Sequence, residues 1–261
     1  MSTRGILRPG AVGEMFTLER RAPPRDLAAF IDSHWLVRWD LRGRPAYESA
    51  VMAHPSVHLV VEDDGARVYG VTRHRYTRRL EGAGSAVGTK FHPGGFAPFA
   101  GGIAMSELTD RRVPATEVFG DDARHLSTTR SAEALVTAVH SLLRSRLPAA
   151  PDPRIALVQA VVADIQRSAP DESVAAVAER HHLSVRTLQR LFAQYVGVGP
   201  KWVMQRYRLH DAIEQLDRRR RQDWTRFALD LGYYDHAHFV RDFRALVGRT
   251  PAEYELQTLA G

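Results

Sequence analysis

The clearest pattern of apolar and polar positions in this chain lies near its C-terminus. Trp224, Phe227 and Leu231 recur at the spacing of one helical face, and Asp223 is placed to cap the first free amides. Gly232 follows as a stop, because glycine adopts backbone angles that other residues resist. The pattern therefore predicts a short amphipathic helix that ends in a tight turn.

A second short helix is predicted directly afterwards. Asp235 is placed to cap it, Phe239 and Phe243 mark its apolar stripe, and Gly248 ends it in a left-handed conformation. Two short helices joined at a glycine form a helix-turn-helix, whose second member can lie in the major groove of DNA.

The residues of this unit, together with a Thr-Pro-x-Glu capping box after it, form a longer signature. The positions are Ala228, Gly232, Tyr233, Asp235, Phe239, Phe243, Gly248, Thr250, Pro251 and Tyr254. They resemble the C-terminal pattern of the AraC/XylS family of bacterial transcription regulators. Phe227 and Glu255 depart from that pattern, since the family usually has an aliphatic residue at the first position and Arg at the second.

Another helix-turn-helix is predicted upstream. Ser173 and Ser184 are placed to cap its two helices, with the turn at residues 181–183. Pro200 then opens a helix of roughly 17 residues, which spans about 26 Å at ~1.5 Å per residue. Successive major-groove faces lie ~34 Å apart. A stiff helix of this order, joining two reading units, would let one chain enter two adjacent grooves.

The outward faces of the two reading helices supply the candidate DNA contacts. Because Leu188 and Phe192 face inward in the first unit, and Phe239 and Phe243 in the second, the remaining positions face solvent. The predicted DNA-binding residues are Arg186, Gln189, Arg190, His236, Ala237, His238, Val240 and Arg241. The resemblance also implies base or phosphate contacts at these positions.

Side-chain chemistry suggests what some of these residues read. Arg190 and Arg241 suit guanine, Gln189 suits adenine, and Val240 suits a thymine methyl group. The alternative, that an outward side chain is only solvated, stays open, and for His236 the two interpretations are balanced, as they are for His238. The run Arg218–Arg221 is predicted to be a solvated turn with at most a phosphate contact.

The first half of the chain carries strand patterns. Trp35 and Trp39 belong to an alternating stretch, and further strand-like runs begin at Val57, Ala66 and Ser85. No crossover helix separates them, so an antiparallel sheet or small barrel is predicted. The two tryptophans are expected in its core rather than stacked on a ligand.

Other segments of this half complete the predicted fold. A short helix is expected from about Asp26. The loop Gly88–Gly102 could place Phe91, Phe96 and Phe99 over the mouth of a barrel. Together with residues 106–108 and 118–120, this segment weakly resembles the cupin-like N-terminal domain of one AraC-family branch.

The proline-rich stretch around residues 148–153 is the predicted domain boundary. Residues 1–150 would form a mostly β sensor or dimerisation domain, and residues 152–258 an all-α domain with two helix-turn-helix units, which makes an α+β fold. An apolar helical stripe over residues 135–143 could serve a dimer or pack on its own sheet.

Composition narrows the function classes. The net charge of +6 and the pI near 9.9 suit a polyanionic partner. The absence of cysteine excludes disulfides, thiolate metal ligands and cysteine nucleophiles. Because no apolar run approaches a signal core or ~20 residues, a cytoplasmic, nucleoid-associated location is expected, with no membrane partner.

One constellation points toward an enzyme. His54, His58 and Glu62 have the even spacing that places side chains on one face of a strand, where they could meet His74 or His92 around a metal. Pro55 interrupts that strand, and the His-x-His spacing of metal-binding cupins is missing. No metal, no other cofactor and no catalytic residue are therefore predicted.

The sequence thus predicts a bacterial transcription regulator that binds double-stranded DNA and is not an enzyme. A small-molecule effector, RNA polymerase and a second copy of the chain are the further partners considered. A metal-dependent cupin-like enzyme or sensor fused to a DNA-binding domain is the alternative, and a ligand-free first domain that only mediates self-association is another.

Overall fold

The computed structural model describes residues 12–127, 131–150, 152–218 and 223–260 of the 261-residue chain. Arg219–Arg221, part of the predicted solvated turn, lie outside the described residues. The described strands are β1 (Thr17–Arg21), β2 (Ile31–Asp40), β3 (Tyr47–Val51), β4 (His58–Glu62), β5 (Gly65–Tyr69), β6 (Tyr76–Leu80), β7 (Ala83–Phe91) and β8 (Arg112–Pro114).

The strands form two antiparallel sheets, as predicted for the first half. The larger has the order β1-β2-β7-β4-β5-β8, and the smaller consists of β3 and β6. Side chains alternate between the two faces of the large sheet. One face packs against helices, and the other faces the small sheet across a cavity.

The helix-facing side of the large sheet forms the main core of the first domain. It packs against α1 (Met105–Leu108), α2 (Ala115–Phe119) and α3 (Ala132–Arg144), and 3-10 turns occur at Ala97–Phe99 and Gly120–His125. The apolar stripe of α3, which includes Leu135 and Val139, is buried in this core. The stripe therefore packs on its own sheet and is not free for a dimer.

The predictions for the loop that carries the three phenylalanines and for residues 25–30 were wrong. Phe91, Phe96 and Phe99 are at most 2% exposed in the helix-facing core, away from any barrel mouth. Phe91 is the last residue of β7, where strand alternation points it to the helices, and its ring packs on the other two. Residues 25–30 form turns rather than a helix, because Ile31 already begins β2.

The second part of the chain is helical, as predicted. Its helices are α4 (Pro153–Ile165), α5 (Val174–Arg180), α6 (Val185–Tyr195), α7 (Pro200–Arg218), α8 (Trp224–Asp230), α9 (His236–Val247) and α10 (Pro251–Ala260). The predicted N-cap oxygens accept backbone N–H groups from their first turns at Ser173, Ser184, Asp223 and Asp235. The Thr250–Glu253 capping box is also formed.

Packing crosses the proline-rich stretch in several places. Met52 of the β domain lies in the core formed by α7 to α10, and Val71 lies in the core of α4 to α7. Thr109 Oγ1 donates to the Gly197 carbonyl at 2.7 Å. The division at residues 148–153 stays a prediction, and the two parts share cores rather than only touching.

Candidate nucleic-acid interface and interior cavity

The first helix-turn-helix consists of α5 and α6. Its turn runs through His182, which has a positive φ of 54°, and the Leu183 N–H donates to the Ala178 carbonyl. Arg180, at the end of α5, forms ion pairs with Asp164 of α4 and with Glu172. These pairs anchor α5, and the Ser184 cap then fixes the direction in which α6 starts.

The outward face of α6 is a row of free polar side chains. Arg186, Gln189 and Arg190 are exposed and make no hydrogen bond or ion pair with any other described residue, whereas Leu188 and Phe192 are fully buried. A free guanidinium on a capped, anchored helix is available for a base edge or a phosphate.

The second helix-turn-helix consists of α8 and α9. Gly232, with a φ of 74°, makes the turn, and the rings of Phe227, Tyr233 and Phe243 pack around Phe239. The Asp235 carboxylate accepts the His238 N–H at 2.7 Å. The helix that carries the candidate contacts is therefore fixed at both its start and its buried face.

The five predicted contacts on α9 differ in exposure. Ala237 and Arg241 are exposed, and Arg241 has no partner within the described ranges. His236 is half-buried. His238 packs against the edge of Tyr233, with Nε2 3.5 Å from the Asp242 carboxylate. Val240 is half-buried and packs against the core of this unit, so it is less outward than its sequence position suggested.

Sequence reasoning missed Tyr234. This side chain is 91% exposed, directly before the Asp235 cap at the start of α9. Its place between the glycine turn and the cap was a usable signal, because a large ring there cannot reach the core that the preceding Tyr233 occupies.

The two units are held together by more than the α7 helix. A Cβ atom at Gly232 would lie 2.1 Å from the Pro170 carbonyl oxygen, so the turn of the second unit rests on the loop that leads into the first. Arg208 of α7 donates to the Glu172 carbonyl in that same loop at 3.1 Å. The 19-residue α7 thus joins two units that also touch directly.

The cavity between the two sheets has a volume of about 220 Å³. Trp35 and Trp39 line it and are half-buried, so they form a cavity wall rather than the closed core expected for them. Trp39 also packs against the small apolar cluster of Phe16, Leu41 and Leu80. Trp35 Nε1 donates to His58 Nδ1 at 3.2 Å, and Trp39 Nε1 donates to the Glu81 carbonyl at 3.1 Å.

Glu62 and His58 are two of the polar groups that line the cavity. Glu62 is 7% exposed, accepts the Tyr69 hydroxyl at 3.2 Å and lies 3.3 Å from the Arg78 guanidinium. Burial and the nearby charge of Lys90 lower the pKa of His58 to about 3, so its imidazole is neutral at pH 7.

The candidate metal ligands share this cavity but are engaged elsewhere. His54 stacks on His210, Trp35 occupies His58 Nδ1, and Glu62 is paired with Arg78. His74, which is 80% exposed, lies beside Asp110 instead. Across the described ranges, no three His, Cys, Asp or Glu side chains are grouped as a metal site would require.

The rim of the cavity is also the contact between the β domain and α7. Met52 and His54 line the cavity while Met52 packs on α7, α8 and α9 and His54 stacks on His210. Arg206, one turn before His210 on α7, is buried, stacked over Trp202, and donates to the Arg73 carbonyl at 2.9 Å.

Arg206 lacks a counter-ion. Its Nη1 has no hydrogen-bond partner, and no carboxylate of the described chain lies within ion-pair distance. Burial lowers the pKa of its guanidinium to about 10. A buried cation without a carboxylate weakens this contact, because its hydration is lost without an ion pair in return.

Comparison with known proteins gives a match in each part of the chain. Residues 177–257 match a helix-turn-helix domain family, and residues 19–114 match a domain family of unknown function, DUF6597. An uncharacterized HTH-type transcriptional regulator of Haemophilus influenzae is 28% identical over 95 residues, covering 36% of this chain. The chain spans 32% of that relative's length.

Solved structures give similar neighbours. An AraC-type regulator from Chromobacterium violaceum is 26% identical over 40% of this chain and 92% of its own, with a TM-score of 0.36. ToxT from Vibrio cholerae is 10% identical over 95% of this chain and 100% of its own, with a TM-score of 0.41.

The fold and the matched domain define a class: an antiparallel β domain followed by paired helix-turn-helix units. Within that class, the C-terminal part of the chain is similar to the helix-turn-helix domains of transcriptional regulators. The description of the curated relative is that of a helix-turn-helix transcriptional regulator. In the described part of the chain, no helix has the length and apolar character needed to cross a membrane.

Proposed function

We propose that this chain is a sequence-specific DNA-binding transcription regulator that inserts α6 and α9 into adjacent major grooves. The observation that supports this most directly is the state of its outward arginines. Arg186, Arg190 and Arg241 stand exposed and unpaired with other described residues on two capped helices.

The roles of individual residues follow from their exposure and chemistry. Arg190 and Arg241 bind guanine edges, Gln189 binds an adenine edge, and Arg186 near the start of α6 binds a phosphate. On α9, His236 and His238 flank the exposed Ala237 and make polar contacts at the groove wall. Val240 contributes only a partial apolar surface, and Tyr234 contacts the sugar-phosphate backbone beside the reading helix.

The β domain modulates DNA binding through the cavity rim. Met52 and His54 touch both the cavity and the helices of the second unit, so a molecule in the cavity would displace side chains on which α7 and α9 rest. Because Arg206 has no carboxylate partner, separating this contact costs little free energy. The contact between the β domain and these helices would be closed in one state and separated in the other. The position of α9 relative to α6 would differ between the two states.

Further partners belong to the same proposal. The protein works in the cytoplasm on nucleoid DNA, with RNA polymerase as the downstream partner and a small molecule as effector. A homodimer would use a surface other than the α3 stripe, which is buried in its own domain.

The experiment is selection of bound fragments from genomic DNA followed by hydroxyl-radical and methylation footprinting. We expect protection of two major-groove segments centred about one helical turn, ~10 base pairs, apart on the same face of the duplex. Protection of a single groove would contradict the two-groove arrangement. Binding that is equal on selected and scrambled duplexes at fixed salt would contradict sequence-specific reading.

A further inference from the structure

The floor of the cavity is formed by two tryptophans that lie on glycines. Trp35 pairs with Gly88 and Trp39 with Gly84 in the antiparallel register of β2 and β7. A Cβ atom at Gly88 would lie 2.0 Å from the Trp35 ring, and one at Gly84 would lie 2.4 Å from the Trp39 ring. Each indole therefore lies against the β7 backbone, in space that a side chain would fill.

The polar edges of these indoles are already used. The two Nε1–H groups donate to His58 Nδ1 and to the Glu81 carbonyl, as described above. What remains toward the cavity is aromatic surface, which favours offset or edge contacts with another ring. Two indole faces held against the strand favour a flat guest over a puckered one, because a flat ring packs closely on an aromatic face.

Among the described hydrogen-bonding groups of the cavity, it is the donors rather than the acceptors that lack a partner. An indole N–H can only donate, so His58 Nδ1 must accept, and the imidazole proton lies on Nε2, which has no acceptor in the described chain. The Nε–H of Arg78 also lacks a partner, but it is enclosed by protein and offers no surface to a guest. Both oxygens of Glu62 are occupied, one by Tyr69 and one by Arg78. A guest therefore needs an acceptor oxygen.

The charges around the cavity are balanced without a guest. Arg78 pairs with Glu62, and Lys90 lies 3.4 Å from the Asp32 carboxylate. Arg20, the other cation on the lining, is exposed to solvent. A charged guest would enter beside groups that already have counter-ions, and it would lose its hydration without a new ion pair.

The size of the cavity limits the guest to a small molecule. A dry apolar cavity of about 150 Å³ holds benzene. The cavity here, at about 220 Å³, has room for two fused rings or for one ring with a short substituent.

We infer that the cavity binds an uncharged, planar aromatic molecule of about ten to twelve non-hydrogen atoms that carries a carbonyl-type acceptor oxygen. Its ring lies on Trp35 and Trp39, and its oxygen accepts from His58 Nε2. This inference extends the proposed function, since such a molecule would be the effector of the regulator, but the binding step itself can be measured without DNA.

The test uses coumarin, a planar two-ring lactone, with two comparators. Octahydrocoumarin keeps the lactone and loses the flat ring, and coumarin-3-carboxylate keeps the rings and adds a charge. Calorimetric titration of the full chain should give binding of coumarin that is at least about tenfold tighter than binding of either comparator. Failure of coumarin to bind at millimolar concentration, or an equal or tighter comparator, overturns the inference.

Two variants locate the site. Ala86→Leu fills the cavity from its lining and should abolish coumarin binding, whereas the matched change Ala252→Leu on the exposed face of α10 should leave it intact. Trp39→Leu should weaken coumarin at least about fivefold and octahydrocoumarin much less. Binding that survives Ala86→Leu in a chain with an unchanged melting temperature places coumarin elsewhere and overturns the inference.

The result is separable from the proposed function. A chain that binds selected DNA but not coumarin overturns the ligand inference alone. A chain that binds coumarin in an Ala86-dependent manner but shows no preference among duplexes supports the ligand site and overturns the proposed regulator.

Discussion

The imidazole ring of His210 stacks on that of His54, with ring centres 4.1 Å apart. His54 lines the cavity of the β domain, and His210 is buried on the helix that joins the two helix-turn-helix units, with Nε2 3.3 Å from the Ala53 carbonyl oxygen. One ring contact thus separates the space where a small molecule would sit from the helix that positions the reading units.

Met52 gives the first prediction. Because it is 3% exposed within the core of α7 to α10, Met52→Ala should lower the free energy of unfolding by about 2 to 3 kcal/mol, while Met52→Leu should cost less than about 1.5 kcal/mol. Urea unfolding measures both. Hydrogen exchange should locate the loss in α9 rather than α6. Equal loss of protection in the two helices would show that Met52 does not act through the second unit.

The free arginines of the reading helices give the second. Arg190→Ala and Arg241→Ala should each lower affinity for the footprinted site by about 1 to 3 kcal/mol and affinity for scrambled DNA much less. Gel-shift titration at fixed salt measures this. Arg124→Ala, an exposed arginine of the β domain, serves as the control. Equal losses on both duplexes would reduce the two residues to phosphate contacts, and unchanged affinity would remove them from the interface.

Gly232 gives the third. A side chain there must adopt a φ of 74°, and its Cβ would meet the Pro170 carbonyl oxygen at 2.1 Å. Gly232→Ala should therefore destabilise the chain by more than about 1 kcal/mol and shift the second unit relative to the first. Gly199→Ala is the control, since a Cβ there meets open space. A melting temperature and a two-groove footprint unchanged by Gly232→Ala would contradict the direct contact between the units.

A buried histidine chain gives a pH prediction. His34 lies between Thr89 Oγ1, 2.9 Å from Nδ1, and His140 Nε2, 2.8 Å from its own Nε2. Burial, with the nearby positive charges of His140 and Arg21, lowers the pKa of His34 to about 4. The folded state thus binds fewer protons than the unfolded state, whose His pKa is about 6.5. The contribution of His34 to the free energy of unfolding is complete above pH ~6.5 and is lost as the pH falls toward 4.

The size of this effect follows from linkage. One such histidine adds a slope of about 1.4 kcal/mol per pH unit between those limits. Urea unfolding between pH 7.5 and 5 should show a steeper decline for the natural chain than for His34→Gln, which retains hydrogen-bonding groups but does not titrate. Parallel curves would mean that His34 is accessible to protons in the folded chain.

The sequence predicted most where structure depends on near neighbours. Each cap, from Ser173 to Thr250, acts within three residues of itself, and Gly232 and Gly248 act through their own φ angles. The helix-turn-helix units and the spacer could therefore be predicted closely. The strands β1, β3, β6 and β8 were not predicted, because they lack the apolar runs of β4 and β5, and because β1 and β6 carry adjacent charged side chains.

The cavity and the domain contacts could not be predicted by the same reasoning. The cavity floor depends on a register that places Trp35 opposite Gly88, and the seat of α9 depends on Met52, far away in the chain. Such pairings are fixed by the whole sheet and not by local preference. The alternation of apolar and polar residues is the same for a tryptophan that lines a cavity and for one in a closed core. The expectation for Trp35 and Trp39 was wrong for this reason.

The two glycines beneath those tryptophans offer a simple way to sort related chains. A larger residue at Gly84 or Gly88 would push the facing indole away from the β7 backbone and into the cavity. The indole would then fill the cavity. Related chains that respond to a small molecule would then differ from constitutive ones at these two positions. The distinction could be made from the sequence without knowing the small molecule.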